Sequence, residues 1–235
     1  MSPGDRDDMR LRTEYAARER RLAHSDLYSL FNPGNLYLVQ GRQRAVLQLL
    51  RREGCSTLSE KRLLEVGCGA GMVLLEFLSY GATPGRLHGV DLLDWRLADG
   101  RVRLAGVPLM QADGRSLPYE DAAFDVVMQF TMFSSILDGA VRQAAAHEMR
   151  RVLRPNGLIL WYDYWLNPTN RQTRGIRPAE VRRLFPDCRT TFQRVTLAPP
   201  LARRLARRAW LLCSVLESLR VLNTHYLVAV RPNQP

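Results

Sequence analysis

The chain has 235 residues, 46% of them hydrophobic, and a formal net charge of +11 at pH 7. That length suits one domain, or one domain with a modest cap, and the apolar share is that of a globular protein with a real core. No apolar run reaches the roughly 18–20 residues of a membrane-spanning helix, and the N-terminus, charged from Asp5 onward, lacks the apolar stretch of a secretory leader.

Residues 1–12 are polar and are expected to fray. A strongly charged helix is predicted over Arg10–Leu27. An aromatic segment, Tyr28-Ser29-Leu30-Phe31, follows it and ends in the turn signal Asn32-Pro33-Gly34. Apolar residues at Leu36, Leu38, Val39, Val46, Leu47, Leu49 and Leu50 give 36–52 a helical period. Residues 1–55 are therefore expected to form an N-terminal helical lid. The run Leu63-Leu64-Glu65-Val66 then ends in Gly67-Cys68-Gly69-Ala70-Gly71, three glycines spaced two apart, with a helix predicted behind them. Glycine serves where the backbone must adopt positive φ or admit a ligand against bare main chain. A helix start offers free N–H groups. Residues 63–80 thus read as the first βα unit of a nucleotide-type cofactor site. Predicted strands 62–67, 86–91, 107–111, 124–130 and 157–163 alternate with predicted helices 70–80, 92–104 and 138–152. This order implies a parallel sheet with right-handed crossovers. A short helix (177–185), a strand (190–197), an amphipathic helical insert (199–219) and a last strand (224–231) complete the chain.

A dinucleotide turn is spelled G-x-G-x-x-G and seats a pyrophosphate on the helix N-terminus. This chain reads E-x-G-x-G-x-G, one residue tighter, with a carboxylate at the strand end. That suits a zwitterionic or cationic ligand better. Asp91, at the end of the second predicted strand and 20 residues past Gly71, is placed to accept both hydrogen bonds of a ribose diol. Further landmarks are Gln111-Ala112-Asp113-Gly114, Ala123-Phe124-Asp125 and Arg154-Pro155-Asn156-Gly157. Over about residues 40–165 this series resembles the class I S-adenosylmethionine-dependent methyltransferases, of the methyltransferase-11-like type. The resemblance implies an α/β, Rossmann-like, seven-stranded and mostly parallel sheet with helices on both faces. Its last strand would run antiparallel between strands five and six. The methyltransferase domain would span 56–235, with the insert at about 199–220. The implied donor is S-adenosylmethionine and the product S-adenosylhomocysteine. Glu65, Gly67, Cys68, Gly69 and Gly71 would hold the cofactor, with Asp91 and Leu92 at the ribose, Asp113 and Gly114 at the adenine, and Gln129 at the fourth strand end.

Ligands of open α/β sheets lie beyond the carboxyl ends of the strands. Phe130, Thr131, Tyr162, Tyr164 and the lid residues Tyr28 and Phe31 are therefore the expected acceptor pocket. Asp163 and His24 are the candidate general bases. Strand alternation sends Tyr162 and Tyr164 one way and Asp163 the other, so all three cannot face one pocket. Tyr15 and Arg18, one helical turn apart, are placed to touch cofactor or acceptor. His225 opens the last strand within reach of the same cleft. Cys68 reads as a small filler against the cofactor. The four cysteines are scattered with no metal-like spacing, so no metal is expected, and a reduced, cytoplasmic setting is. Lys61 is the sole lysine; the basic excess is arginine and favours anionic partners.

The fourth strand runs into Met128-Gln129-Phe130-Thr131, not the Asn/Asp-Pro-Pro-Tyr/Phe of enzymes that methylate exocyclic amines. The expected activity is methyl transfer to a small-molecule acceptor, at an oxygen of a sugar, phenolic or natural-product intermediate, with an anionic or ring-bearing acceptor favoured and no nucleic acid. The alternatives are an RNA methyltransferase, suggested by the charge, a non-catalytic cofactor-binding module, and a nicotinamide dehydrogenase, which the glycine spacing disfavours. In 201–212 arginines fall on one face and leucines on the other. A cap helix with its polar face in water is the expected reading, and contact with an anionic bilayer the less favoured one.

Overall fold

Leu63–Val66 (β1) is buried along its whole length, as a parallel strand covered on both faces must be. Six further strands join it: Leu87–Asp91 (β2), Leu109–Gln111 (β3), Phe124–Phe130 (β4), Leu153–Tyr164 (β5), Cys188–Leu197 (β6) and Asn223–Pro232 (β7). Their order is β3-β2-β1-β4-β5-β7-β6. Only β7 runs against the rest, inserted between β5 and β6. The computed structural model describes residues 3–167, 170 and 172–233.

Alternation along the strands feeds two buried layers. Leu63, Leu87, Val126, Leu158 and Leu160 face one side, with Leu97 and Leu104 and with Val73, Leu74 and Phe77 around helix Met72–Ser79 (α3). Leu64, Val90, Val127, Ile159 and Trp161 face the other, with Ala145, Ala146 and Met149 of helix Gly139–Arg151 (α5). Helix Asp94–Arg103 (α4) follows β2, and Pro178–Leu184 (α6) precedes β6.

Two helices precede the sheet, Pro3–Leu22 (α1) and Pro33–Arg52 (α2). Asn32 starts α2: its side-chain oxygen accepts from the N–H groups of Gly34 and Asn35 at 3.0 and 3.3 Å, and Pro33 supplies a preset φ. Ala45, Val46, Leu49 and Leu50 of α2 lie in the same buried cluster as β1 and β4, so a division at residue 55 cuts through one core. Among the described residues before position 55, α1 and the loop after it contribute nothing to that cluster, and Tyr37 of α2 belongs to a smaller cluster with Leu197, Ala202 and Cys213. The helix expected from Arg10 begins at Pro3, and the expected fraying of residues 1–12 does not extend into it. The Asp7 carboxylate, 7% exposed, accepts from the N–H groups of Leu137 and Asp138 at 2.9 and 3.2 Å. The Asp8 carboxylate pairs with Arg115 at 2.6 Å, and the Arg10 guanidinium donates to the Ser135 carbonyl. These distant partners hold the first turns in place.

β5 also departs from expectation. Pro155-Asn156-Gly157 lies inside the strand as a bulge, where the register on β4 jumps from Phe124↔Leu153 to Val126↔Leu158. Between β6 and β7 the insert folds as two short helices, Pro199–Leu205 (α7) and Trp210–Ser218 (α8).

Candidate active site

The carboxyl ends of β1, β2 and β4, the glycine turn and the inner face of α1 enclose a cavity of about 830 Å3. Gly67, Gly69 and Gly71 all have positive φ, at 77°, 53° and 75°. The turn is folded onto β2: Gly67 and Cys68 donate their N–H to the Val90 carbonyl at 2.8 and 3.0 Å. Asp91 locks it further. One carboxylate oxygen accepts from Gly69 N–H at 2.7 Å and the other from Leu93 N–H at 2.9 Å. Each oxygen keeps a lone pair for a ligand.

Glu65 is the least compensated group at this end. It is 2% exposed, lines the cavity, and its Oε2 has no partner among the described residues. Burial pushes its carboxyl well above the usual range, against the pull of Arg42. Glu65→Gln is expected to stabilise the ligand-free protein by about 1–3 kcal/mol near neutral pH, the cost of an unpaired buried group. A raised folded pKa gives its full stability below the unfolded value of 4.5 and loses it as pH climbs. The glutamine's advantage should therefore vanish as pH falls towards 4.5. Denaturant unfolding at the two ends of that window checks this, and an equal gain at both would contradict it.

The residues present fit S-adenosylmethionine on two grounds. An orphaned buried carboxylate oxygen lines the cavity, where a cationic end would neutralise it. A bare glycine turn and the Asp91 carboxylate lie beside it, where a nucleoside would rest. Asp113 and Gly114 line the same cavity. The Asp113 carboxylate already accepts from Arg115 Nε and Nη2, at 2.8 and 2.5 Å, and from Arg115 N–H at 2.8 Å. Arg115 in turn reaches Asp8 on α1.

The wider end is aromatic and cationic. Phe130 and Tyr162 face each other at 5.7 Å, with the Arg42 guanidinium 5.8 Å from each ring centroid. Arg42 also pairs with Glu76 at 2.5 Å, and its Nε is buried with no partner among the described residues. From α1, Arg18 lies over the Tyr15 and Tyr28 rings and donates to the Tyr28 hydroxyl. Burial keeps the Tyr162 phenol protonated, and its hydroxyl shares a 2.8 Å hydrogen bond with Thr196. His225 stacks on Tyr162 at 4.7 Å, and burial lowers its pKa to about 3, so it is neutral.

Of the residues expected at the site, Glu65, Gly67, Cys68, Asp91, Leu92, Asp113, Gly114, Tyr28, Phe130, Thr131 and Tyr162 line the cavity. Gly69 and Gly71 shape the turn from behind, and Gln129 is wholly buried, its Oε1 accepting from Met132 N–H at 2.9 Å. Burial holds the Cys68 thiol protonated. Both candidate bases fall outside. Asp163 lies on the α5 side of the sheet, 1% exposed, where its carboxylate accepts from Ser134 and Tyr164 N–H at 3.0 and 2.8 Å. Burial raises its pKa to about 6. It fixes the turn after β4 and does not line the cavity. His24 is exposed in the loop that begins where α1 stops early, at Leu22. Phe31 is 99% exposed at that loop's tip, and Tyr164 packs on His225 at 3.9 Å, so neither lines the cavity.

Sequence reasoning missed Arg42, Arg96 and the turn at Thr131. Arg96 stands 4.7 Å from the Tyr15 ring centroid, and its guanidinium covers Gly69. Thr131 has φ of 59°, a strained value for a β-branched residue, held by its N–H to the Tyr162 carbonyl at 2.8 Å. The turn brings Met132 over Gly67, so closely that a Cβ on the glycine would stand 2.8 Å from Met132 Cγ.

Residues 64–161 match the family described as "Methyltransferase domain". Among curated proteins, the phthiotriol/phenolphthiotriol dimycocerosates methyltransferase 1 of Mycobacterium ulcerans is 36% identical over 121 residues, covering 48% of this chain and 40% of that protein. The sterol 4-C-methyltransferase of Caenorhabditis elegans is 31% identical over 108 residues, covering 43% of this chain and 30% of its own. The chain spans about half the length, or less, of the first curated relatives it matches. Among solved structures, the S-adenosylmethionine-bound amino pentose methyltransferase CalS10 of Micromonospora echinaspora superposes with a TM-score of 0.58 at 20% identity, over 81% of this chain and 90% of that one. Residues 64–161 thus match the methyltransferase-domain family, and the seven-stranded sheet with its single reversed strand is the fold shared with the solved S-adenosylmethionine-dependent methyltransferases.

Proposed function

We propose that the chain transfers a methyl group from S-adenosylmethionine to an anionic, ring-bearing small molecule, at an oxygen. The observation that carries this is the pairing of Arg18 and Arg42 with Tyr15, Tyr28, Phe130 and Tyr162 in one cavity wall. A planar acceptor fits between such rings, and its negative charge faces the guanidinium groups. S-adenosylmethionine supplies, when bound, an electrophilic methyl carbon on a sulfonium. The chain's own part is to position the acceptor and exclude water from its nucleophilic atom. His225, its pKa lowered to about 3 by burial, is at most a weak base and does not line the cavity; Tyr162 keeps its proton at neutral pH, and Asp163 does not line the cavity either. An acceptor that arrives as a phenolate or carboxylate needs no proton removed. Relatives whose names include a sterol methyltransferase and dimycocerosates methyltransferases support an acceptor with a large apolar body attached to its reacting oxygen.

Arg18→Ala tests this. Across a panel of phenolic and carboxylic acids, it should raise the acceptor KM by about tenfold, the worth of one charge-assisted hydrogen bond. S-adenosylhomocysteine affinity by calorimetry should stay unchanged. Turnover of neutral acceptors alone, or of RNA with steep salt dependence, would replace this reading.

A further inference from the structure

The insert between β6 and β7 turns an apolar face outward where a polar one was expected. Leu211, Leu212, Val215 and Leu219 are all exposed, Leu211 by 78%. Leu211, Val215 and Leu219 are spaced one turn apart, so they share one face of α8. The opposite face is already used: Trp210 meets Tyr37 edge-on at 5.0 Å and Cys213 is fully buried. The outward residues are therefore not the ones that dock α8 on the protein. Val221 and Leu222, just beyond, are exposed as well.

The surrounding charge has one sign. Residues 198–222 hold Arg203, Arg204, Arg207, Arg208 and Arg220 against a single acid, Glu217. That carboxylate is turned inward, accepting from the Tyr37 hydroxyl at 2.6 Å and from Thr196 N–H at 3.1 Å. A second apolar tip adjoins this region. Leu30 and Phe31 project from the loop before α2. Gly34, three residues on, is packed so closely on α7 that a Cβ there would stand 2.4 Å from Arg203 Cα. Tyr28, two residues before this tip in the same loop, lines the cavity.

We propose that the α7–α8 insert and the Leu30-Phe31 tip form a docking surface for an anionic lipid bilayer. The apolar side chains enter the boundary between headgroups and acyl chains, and the arginines meet the phosphates. A symmetric contact between two copies would set this arginine-rich patch against itself, which an anionic surface does not. A nucleic acid would satisfy the arginines and leave the apolar face in water. No helix among the described residues is long and apolar enough to cross a membrane, so the attachment is peripheral. Docking through the loop brings the cavity wall at Tyr28 to the interface. On the methyltransferase reading, the acceptor is then an amphiphile drawn from the membrane.

Flotation of the full chain with phosphatidylglycerol-containing vesicles, and with pure phosphatidylcholine vesicles, tests the surface without reference to catalysis. Binding is expected on the anionic vesicles at low salt and not on the zwitterionic ones. The charge-neutral variants Leu211→Ser/Val215→Ser and Phe31→Ser should each weaken it roughly tenfold or more, as lost apolar burial requires. Their melting temperatures should stay within a few degrees of the parent, since Phe31 is 99% exposed and Leu211 and Val215 are at least half exposed. No flotation on anionic vesicles overturns the proposal. So does binding that salt abolishes and the serine variants leave untouched, which is arginine attraction alone. Self-association that the same variants remove, without vesicle binding, overturns it in favour of a second copy.

Discussion

Gly69→Val is expected to abolish binding of S-adenosylmethionine and S-adenosylhomocysteine in calorimetry while leaving a folded protein. Residue 69 has φ of 53°, where a β-branched side chain costs roughly 1–2 kcal/mol. The three nearest atoms to a Cβ there all belong to the far end of Arg96, Nη2 at 2.5 Å, and that guanidinium can swing aside. The displaced arginine and the two added methyl groups then occupy the space beside the turn. The strain also disturbs the Gly69 N–H bond to Asp91 that aligns turn and β2. The sheet core is untouched, so the melting temperature should fall by only about 2–8 °C. Gly71→Val is the contrasting control. Its Cβ would stand 2.2 Å from Leu104 Cδ1 inside the core, so the fold itself should suffer. Wild-type donor affinity in the Gly69 variant would contradict the placement of the cofactor.

Asp91→Ala is expected to weaken donor binding by about 1–3 kcal/mol, or roughly ten- to a hundredfold. The carboxylate has two tasks. It accepts from Gly69 and Leu93 N–H, and its remaining lone pairs face the cavity from a side chain only 6% exposed. Alanine removes both tasks and leaves two backbone donors without an acceptor. Asp91→Asn keeps one acceptor oxygen and should fall between alanine and wild type. Calorimetry with S-adenosylhomocysteine decides. Equal affinity across the three proteins would remove Asp91 from the site.

The glycine turn was legible because three glycines at fixed spacing behind an apolar run have few other uses. The alternation around Asp163 was legible too: strand period alone separates it from Tyr162 and Tyr164, and the sheet does send it to the opposite layer. Which side faces the ligand was not legible, because that depends on how helices distribute over the two faces. The start of α1 was missed for a related reason. Asp7, Asp8 and Arg10 look like a solvated polar stretch, and their partners Leu137, Arg115 and Ser135 are more than 100 residues away in sequence. Arg42 and Arg96 carried no signal among 34 basic residues. Thr131 gave none either, since its left-handed backbone is imposed by the Tyr162 carbonyl and by Gln129, not by its own preference.

The bond from Arg115 to both Asp8 and Asp113 has a bearing on exchange with the surroundings. One guanidinium joins the roof of the chamber to its floor, and both carboxylates are partly wetted, at 22% and 34% side-chain exposure. Dissolved ions weaken such a link over distances of about 8 Å under physiological conditions. How readily the chamber admits and discharges its contents is thereby tied to the electrolyte around it, a dependence that a greasy hinge would not have.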